Sequence, residues 1–336
     1  MDFVTLGSTG IRVNKNGFGA LPIQRISESE AMFLLVKAYH KGINFYDTAR
    51  DYTDSERKIG LALSGVRERI CIATKTSATS PDVFWEQLET SLSMLKTGYI
   101  DIYQFHNPPF CPKPGDGSGL YDAILEAKAQ GKVRHIGLTN HRLEIAREAA
   151  ESGLYETIQY PVSYLSTPEE LDLVRLCADR NIGFIAMKAI AGGLITNSAA
   201  AYAFFLKLSN AVPIWGVQRE SELDEFLSYQ DVPPVLDDDA KREIERDKLE
   251  LSDDFCRGCG YCLPCSAKIY IPLAARMSVL MKRAHESLYL SEKAIDSMKR
   301  VGDCTNCGHC KQHCPYGLDA PRLMRDSVSD YMKLIL

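Results

Sequence analysis

From Asn16 onward, short apolar runs alternate with longer segments whose apolar residues recur at helical spacing. The predicted strands read GFGA, INFYD, ICIATK, IDIYQFH, VRHIGLT, TIQYP, FIAMKAI and PIWGV. Apolar residues at i, i+3 and i+4 in the intervening segments predict helices, as in EAMFLLVKAYHK. Eight such repeats over about 210 residues predict an α/β protein with a closed (β/α)8 TIM barrel. A doubly wound open sheet gives the same alternation, but the sequence lacks the glycine-rich dinucleotide fingerprint typical of such sheets.

The composition changes after Tyr229, and we divide the chain into three parts. Residues 1–230 form the predicted barrel, with FVTLGSTGIRVNK as a hairpin at its bottom. Residues 231–254 form a proline-marked linker and a charged helix, and residues 255–336 contain most of the cysteines. Segments such as EKAIDSMKR, between two cysteine sets, have helical spacing, so we predict a small all-α domain there.

The two cysteine sets are Cys256, Cys259, Cys262 and Cys265, and then Cys304, Cys307, Cys310 and Cys314. The second set has the spacing C-x2-C-x2-C-x3-C-P, which is that of [4Fe–4S] ligands in bacterial two-cluster ferredoxins. In those ferredoxins the fourth cysteine of a set ligates the other cluster. We therefore predict two [4Fe–4S] clusters, each bound by the first three cysteines of one set and the last cysteine of the other.

Structural zinc is the alternative, because paired C-x2-C motifs bind it. Thiols in triplets exceed what paired zinc sites use, and they favour clusters. The first set departs from the ferredoxin pattern, since its last gap is two residues and Ser266 stands where proline is expected. The long helical segment between the sets resembles α-helical ferredoxin domains more than compact ferredoxins.

Polar residues end three consecutive predicted strands: Asp47 follows INFY, Lys75 follows ICIAT and His106 follows IDIYQF. Tyr52 comes five residues after Asp47. The carboxyl ends of barrel strands meet at one face, so we expect these side chains to surround one substrate carbonyl oxygen.

The chemistry of these four residue types is coherent. A tyrosine has an ordinary pKa of about 10, and a neighbouring ammonium favours its phenolate form. We therefore predict that Lys75, oriented by Asp47, lowers the pKa of Tyr52. Tyr52 would then protonate the substrate oxygen as a hydride reaches the carbon, while His106 donates a hydrogen bond to that oxygen.

This part of the chain resembles the aldo-keto reductase family. The matching segments are GINFYDTARDYTDSERKIGLAL, ICIATKT, DIYQFHNP, VRHIGLTN and IQYPVS, with a looser match at IAMKAIAGGLI. The resemblance covers about residues 1–230 and implies a TIM barrel, an extended NAD(P)H cofactor, and carbonyl or alcohol substrates. It also implies a catalytic tetrad at the four residues named above. Members with a cysteine-rich tail form a subgroup, which this chain resembles from end to end.

The resemblance also assigns contacts to the nicotinamide end of the cofactor. The carboxamide-binding positions of the family fall on Thr139, Asn140 and Gln159. The aromatic platform beneath the nicotinamide falls at Met187, whose thioether is polarisable but stacks less well than a tyrosine ring. Lys188 follows it, where many members have serine.

The segment WGVQRESELDEF corresponds to the family's site for the adenosine end of the cofactor. We assign Gly216, Gln218, Arg219 and Glu222 to that site. Members that prefer NADPH carry an arginine for the 2′-phosphate where this chain has Glu222, and an asparagine near the adenine where it has Phe226. A carboxylate repels a phosphate, so we predict no strong preference for NADPH over NADH.

Charge and composition exclude several classes of partner. The formal net charge of −5 and the pI of about 5.9 favour neither nucleic acid nor an anionic membrane surface. MDFVTLGSTG has no basic segment or apolar run, so we expect no export signal and a cytoplasmic protein. Eleven cysteines in a reducing compartment indicate metal binding or redox work rather than disulfides.

These features predict an oxidoreductase that reduces a carbonyl, or oxidises an alcohol, with NAD(P)H and the tetrad, and uses iron–sulfur clusters for electron transfer. The expected partners are the small-molecule substrate and an external ferredoxin or flavoprotein. One alternative is a ferredoxin-dependent reductase whose barrel has no working nicotinamide site. The other is a non-enzymatic electron-transfer protein, which retention of all four tetrad residues disfavours.

Overall fold

A computed structural model describes residues 2–251, 255–284 and 286–335 of the chain. The chain divides into two compact units, of which the first comprises Met1–Ala189 and Ala199–Leu236, and the second Ile190–Ser198 and Asp237–Leu336. The division after Leu236 falls inside the predicted linker, whose last residues, 252–254, lie outside the described residues. The segment Ile190–Ser198 falls within the range predicted for the barrel but belongs to the second unit.

The first unit contains a hairpin followed by a closed barrel of parallel strands. The hairpin is formed by β1 (Phe3–Thr5) and β2 (Arg12–Asn14). The barrel strands are β3 (Gly17–Gly19), β4 (Phe45–Asp47), β5 (Cys71–Thr76), β6 (Ile100–His106), β7 (Val133–Thr139), β8 (Thr157–Pro161), β9 (Gly183–Met187) and β10 (Ala211–Gly216). They pair in chain order and β10 closes onto β3, so the predicted TIM barrel is confirmed.

Helices connect the barrel strands, as the sequence spacing predicts. They are α1 (Glu28–His40), α2 (Ser55–Leu63), α3 (Pro81–Leu95), α4 (Leu120–Ala129), α5 (Leu143–Ser152), α6 (Pro168–Asp179), α7 (Ser198–Leu206) and α8 (Glu220–Asp231), with 3-10 turns at Pro22–Arg25 and Ser64–Arg69. Side-chain hydrogen bonds cap the amino-terminal ends of several of these helices. The Thr167 hydroxyl accepts from the Glu170 backbone N–H, and the Glu170 carboxylate accepts from the Thr167 backbone N–H. This reciprocal pair satisfies donors that a helix start leaves unpaired.

The hairpin packs over the amino-terminal end of the barrel. Val4, Leu6 and Val13 join one buried apolar cluster with Phe45 and Cys71, the first residues of β4 and β5. The opposite strand ends carry polar residues, because Asp47, His106 and Thr139 are the last residues of their strands, and the assigned residues Met187 and Gly216 end two further strands there. The barrel therefore has an apolar, covered bottom and a polar face at its carboxyl end.

The described part of the second unit contains helices and no strands, as predicted for the tail. The helices are α9 (Asp238–Glu250), α10 (Ile271–Ala274), α11 (Met277–Arg283), α12 (Glu286–Tyr289), α13 (Glu292–Lys299), α14 (His309–Gln312) and α15 (Ala320–Ile335), with a 3-10 turn at Arg300–Asp303. A buried ion pair of 2.8 Å joins Asp247 on α9 to Arg283 on α11. On α15, the buried Tyr331 hydroxyl donates to the Tyr289 carbonyl at 2.7 Å. None of the described helices combines the length and the apolar character that crossing a bilayer requires.

Candidate active site and cluster-binding region

Lys75 and Asp47 form a buried ion pair at the carboxyl end of β4 and β5. The Lys75 Nζ lies 2.7 Å from Asp47 Oδ1 and donates to the Thr48 carbonyl at 2.6 Å. Ala73 is the register partner of Asp47, and Lys75, two residues further along β5, has its side chain on the same side of the strand. Burial raises the pKa of Asp47 and lowers that of Lys75, and each shift is opposed by the charge of the partner.

Two glutamines extend this pair across the barrel. Gln159 Nε2 lies 3.4 Å from Asp47 Oδ1, and Gln104 Nε2 donates to Gln159 Oε1 at 2.8 Å. Gly137 on β7 leaves the room that Gln104 needs, because a Cβ there would lie 2.8 Å from the Gln104 Cγ. The amide of Gln159, predicted to bind a carboxamide, is therefore part of a buried chain that ends on Asp47. Among the described residues, the second carboxylate oxygen of Asp47 has no hydrogen-bond partner.

Tyr52 and His106 lie beside the ion pair, so the structure brings the four predicted tetrad residues together. The Lys75 Nζ is 5.3 Å from the centroid of the Tyr52 ring, and the His106 ring meets that ring edge-on at 5.9 Å. Our prediction for the pKa of Tyr52 is wrong. Burial raises the pKa of Tyr52, and the carboxylates of Asp47 and Asp51 raise it further. The phenol therefore keeps its proton at neutral pH.

The sequence analysis missed the partner of His106. Asp51, which directly precedes Tyr52, has its Oδ2 3.3 Å from the Nδ1 of His106. Its Oδ1 accepts from the Ser77 hydroxyl at 3.0 Å. The signal in the sequence was an acidic residue next to the candidate proton donor, but loop conformation decides whether such a residue reaches a strand end.

The residues assigned to the nicotinamide end line the polar face of the barrel. Thr139 and Met187 are neighbours, with the threonine Oγ1 3.9 Å from the methionine sulfur. The side chain of Asn140 is hydrogen-bonded to the backbone. Its Nδ2 donates to the Pro108 carbonyl at 2.8 Å, and its Oδ1 accepts from the Arg142 N–H at 2.9 Å. Lys188 has a positive φ of 59°, at the turn that ends β9.

The residues assigned to the adenosine end lie around the start of α8. The Oε2 of Glu222 accepts from the backbone N–H groups of Gln218 and Arg219 at 2.9 and 3.0 Å. Its Oε1 accepts from the Arg219 guanidinium at 2.9 and 2.6 Å. Glu222 therefore caps the helix and pairs with Arg219, the cation assigned to the same site. Gly216 ends β10 just before this turn.

Phe226, which stands where the family has an asparagine near the adenine, is part of the core. Its ring is buried and stacks on the ring of Trp215, with centroids 4.3 Å apart and planes 16° apart. The ring of Tyr202 also stacks on the indole, with centroids 5.9 Å apart. The side chain of Phe226 is therefore committed to packing between α8 and the barrel.

In the second unit, cysteines from both sets line one cavity of about 280 Å³. They are Cys262, Cys265, Cys304, Cys307 and Cys310. Over the described residues, no group of three His, Cys, Asp or Glu side chains is spaced to hold a single metal ion. A cubane cluster needs cysteine sulfurs spread around its corners, and five cysteines around one cavity are donors that fit such a [4Fe–4S] cluster.

Two groups lie close to Cys256 or to the loop that follows it, in the first cysteine set. The backbone N–H of Gly258 donates to the Cys256 sulfur at 3.4 Å, the kind of contact that tunes metal-bound thiolates. The partly buried guanidinium of Arg276 lies against the same loop, because a Cβ on Gly258 would be 2.8 Å from its Nη1. Arg276 also donates to the Gly192 carbonyl at 2.8 Å. A positive charge therefore lies beside the site where a negatively charged cluster is expected.

The fold and these two sites are those of an oxidoreductase with an appended iron–sulfur domain, and comparison with known proteins identifies the family. The Aldo/keto reductase family model matches residues 15–200, and a 4Fe-4S dicluster domain model matches residues 255–319. The chain belongs to the aldo-keto reductase family.

The relatives share the barrel but cover only part of the chain. L-galactose dehydrogenase of Arabidopsis thaliana is 29% identical over 210 residues, which are 57% of this chain and 66% of that protein. The NADH-specific methylglyoxal reductase of Escherichia coli is 28% identical over 231 residues, 59% of this chain and 70% of that protein. A solved aldo-keto reductase of Bacillus halodurans, in its holo form, covers 74% of this chain and 96% of its own, with a TM-score of 0.65 and 20% identity, which supports the fold.

Proposed function

We propose that this protein reduces a small carbonyl compound with NAD(P)H, or oxidises the corresponding alcohol, and that its tail holds two [4Fe–4S] clusters. The observation that carries the proposal is the position of the Tyr52 phenol beside the Lys75–Asp47 ion pair and the His106 ring. This is a proton donor held at the polar face of a barrel, where enzymes of this fold bind their substrates.

The nicotinamide, when bound, supplies a hydride to the substrate carbon. Tyr52 donates its O–H proton to the substrate oxygen, so that a neutral alcohol leaves the site. The phenolate that remains is stabilised by the Lys75 ammonium, which Asp47 keeps charged and oriented. Because burial raises the pKa of Tyr52, the phenol holds a proton before the substrate oxygen becomes basic, and in alcohol oxidation the same oxygen would accept that proton back.

Replacing Tyr52 with phenylalanine removes the proton donor and leaves the ring. We expect Tyr52→Phe to lower kcat by roughly 10²- to 10⁴-fold, the range for a lost general acid. Methylglyoxal is a suitable probe, since the Escherichia coli relative is named for it.

The matched control is Tyr39→Phe, which removes a hydroxyl from α1 on the outside of the barrel. Both variants should retain the melting temperature and the nicotinamide affinity of the wild type. Turnover by Tyr52→Phe within about twofold of the control would show that another group donates the proton.

We further propose that the enzyme has no strong preference for NADPH. The pairing of Glu222 with Arg219 supports this, because it neutralises the nearest cation and leaves a carboxylate where a 2′-phosphate would lie. NADH lacks that phosphate and meets no such repulsion. Thr139, Asn140, Gln159, Met187 and Lys188 remain the proposed contacts of the nicotinamide end.

Neutralising Glu222 should change the cofactor preference. Glu222→Gln keeps an oxygen that can cap α8 and releases Arg219, so we expect the NADPH/NADH ratio of kcat/KM to rise roughly tenfold, equivalent to about 1.4 kcal/mol. Glu225→Gln, one turn along the same helix, removes a charge without releasing Arg219 and should leave the ratio unchanged. A wild-type enzyme that prefers NADPH by a hundredfold or more would contradict the proposal.

For the tail, we propose crossed ligation of the two clusters. Cys304, Cys307 and Cys310 would share one cluster with Cys265; Cys262 lines the same cavity but is assigned to the other cluster by the cysteine spacing. The other cluster would be bound by Cys256, Cys259, Cys262 and Cys314. His309 also lines the cavity, and its buried Nε2, which has no partner among the described residues, would donate a hydrogen bond to a cluster sulfur.

Single cysteine variants distinguish crossed from uncrossed ligation. Anaerobically prepared wild type should contain about eight irons per chain, and the variants about half as many or an altered cluster. The EPR spectrum of reduced Cys265→Ala should match that of Cys304→Ala and differ from that of Cys256→Ala. If Cys265→Ala instead matches Cys256→Ala, each set ligates its own cluster. Bound zinc with little iron in the wild type would exclude clusters altogether.

A second function has some structural support. Because the Gln159 amide is bonded to Gln104 and lies beside Asp47, one proposed nicotinamide contact is already in use. In a cluster-fed reductase, an external ferredoxin or flavoprotein would deliver single electrons through the clusters, and Tyr52 would supply the protons. The ion pair and the tyrosine serve either function, so only the source of the electrons differs.

A further inference from the structure

The side chain of Asp51 is positioned by two strands other than its own. It lies in the loop between β4 and α2, with one carboxylate oxygen 3.3 Å from His106 Nδ1 on β6. The other oxygen accepts from the hydroxyl of Ser77, which follows β5, at 3.0 Å. Both oxygens therefore have a partner, and the carboxylate cannot turn away from His106 without losing the second contact.

This arrangement determines which ring nitrogen of His106 carries the proton. A neutral imidazole has one N–H, and a carboxylate accepts but does not donate. Asp51 is ionised at neutral pH, because its hydrogen bond with His106 lowers the pKa of the carboxyl group. A carboxylate facing Nδ1 therefore keeps a proton on that nitrogen. The Nε2 atom is then bare in the neutral ring and carries a proton only in the imidazolium.

The consequence concerns the role expected for His106. With its neutral-ring proton held on Nδ1, the ring can donate a hydrogen bond from Nε2 to a substrate oxygen only when it carries a second proton. Asp47 and the Tyr52 phenol also face this region. Asp51 is the carboxylate that reaches a ring nitrogen, at 3.3 Å from Nδ1.

We infer that Asp51 is a positioning residue that holds the Nδ1 proton of His106 and thereby makes Nε2 the atom that gives or receives a proton at the reacting oxygen. Its effect on turnover rests on the proposed carbonyl reduction. When Tyr52 has lost its proton, a proton from the imidazolium Nε2 can restore the phenol, and water returns a proton to Nε2. No electron moves in this exchange, and the Asp51 side chain, which is 48% exposed, lies where the pair meets solvent.

The chain contains an internal comparison. His135 on β7 has its Nδ1 2.7 Å from Glu156 Oε1, so it is a second imidazole–carboxylate pair. Glu156 also accepts from the Lys128 ammonium and from the backbone N–H of Ile136, the residue that follows His135 on β7. His135 lies in the amino-terminal half of β7, away from the strand end that carries Thr139, so a change in its tautomer should not affect turnover.

The test is the tautomer of His106, measured by ¹⁵N NMR on the full-length protein with labelled histidine and oxidised clusters. The chain has seven histidines, and His106→Asn identifies the signal of this one. We expect neutral His106 to be protonated at Nδ1 in the wild type. Asp51→Ala should abolish that preference, and Asp51→Glu should restore it at least in part. A wild-type His106 protonated at Nε2, or a tautomer that Asp51→Ala leaves unchanged, overturns the inference whatever the activity.

Kinetics test the effect on turnover separately. Asp51→Ala should lower kcat for methylglyoxal reduction roughly tenfold with little change in KM, the pattern of an interaction made in the transition state. Asp51→Glu should recover part of the loss, and Glu156→Gln should alter His135 but not kcat. An altered tautomer with unchanged kcat would overturn the positioning role. Absence of carbonyl reduction by the wild type would instead refute the proposed function, while the NMR result would still decide whether Asp51 holds His106.

Discussion

The buried pair of Lys75 and Asp47 is the constraint on which the barrel's polar face depends. A lysine with almost no exposed surface stays charged only if a counter-charge and hydrogen-bond acceptors surround it, and removing one partner of such a pair commonly costs about 3–5 kcal/mol. Asp47 and the Thr48 carbonyl meet that need. The neighbouring residues are arranged around this pair. Gln159 contacts Asp47 and Gln104 donates to Gln159, while Tyr52 keeps its proton beside the carboxylates.

The barrel and most of the candidate active site could be predicted from sequence, because residues at the carboxyl ends of parallel barrel strands lie at the same face. Asp47, Lys75 and His106 end consecutive strands, so their convergence needs only the fold. The partners of Asp51 and Glu222 could not be predicted, because they depend on loop and helix-cap conformation, which the spacing of apolar residues does not determine. The pKa of Tyr52 was predicted in the wrong direction because the ammonium was considered without burial and without the second carboxylate. Gln104 was missed because its place in a buried chain depends on a glycine on the next strand.

The appended iron–sulfur domain raises a chemical tension. A hydride carries two electrons in one step, whereas a [4Fe–4S] cluster accepts one. Under the proposed function the barrel performs the two-electron reaction by itself, and the clusters serve a separate exchange with a ferredoxin or flavoprotein. Under the alternative, the electrons reach the substrate one at a time and the nicotinamide takes no part. The protonated Tyr52 is compatible with both functions. They differ in the source of the hydrogen on the product carbon, which is the nicotinamide in the first case and solvent in the second.

The fate of that hydrogen is therefore the most direct measurement. Anaerobic protein with intact clusters is given methylglyoxal and NADH that carries deuterium at the transferable C4 position, in ordinary water, and the alcohol product is analysed by mass spectrometry. Our account predicts one deuterium on the carbinol carbon of each product molecule and a slower reaction than with unlabelled NADH. Product that carries only solvent hydrogen, formed from reduced ferredoxin and not from NADH, would contradict it.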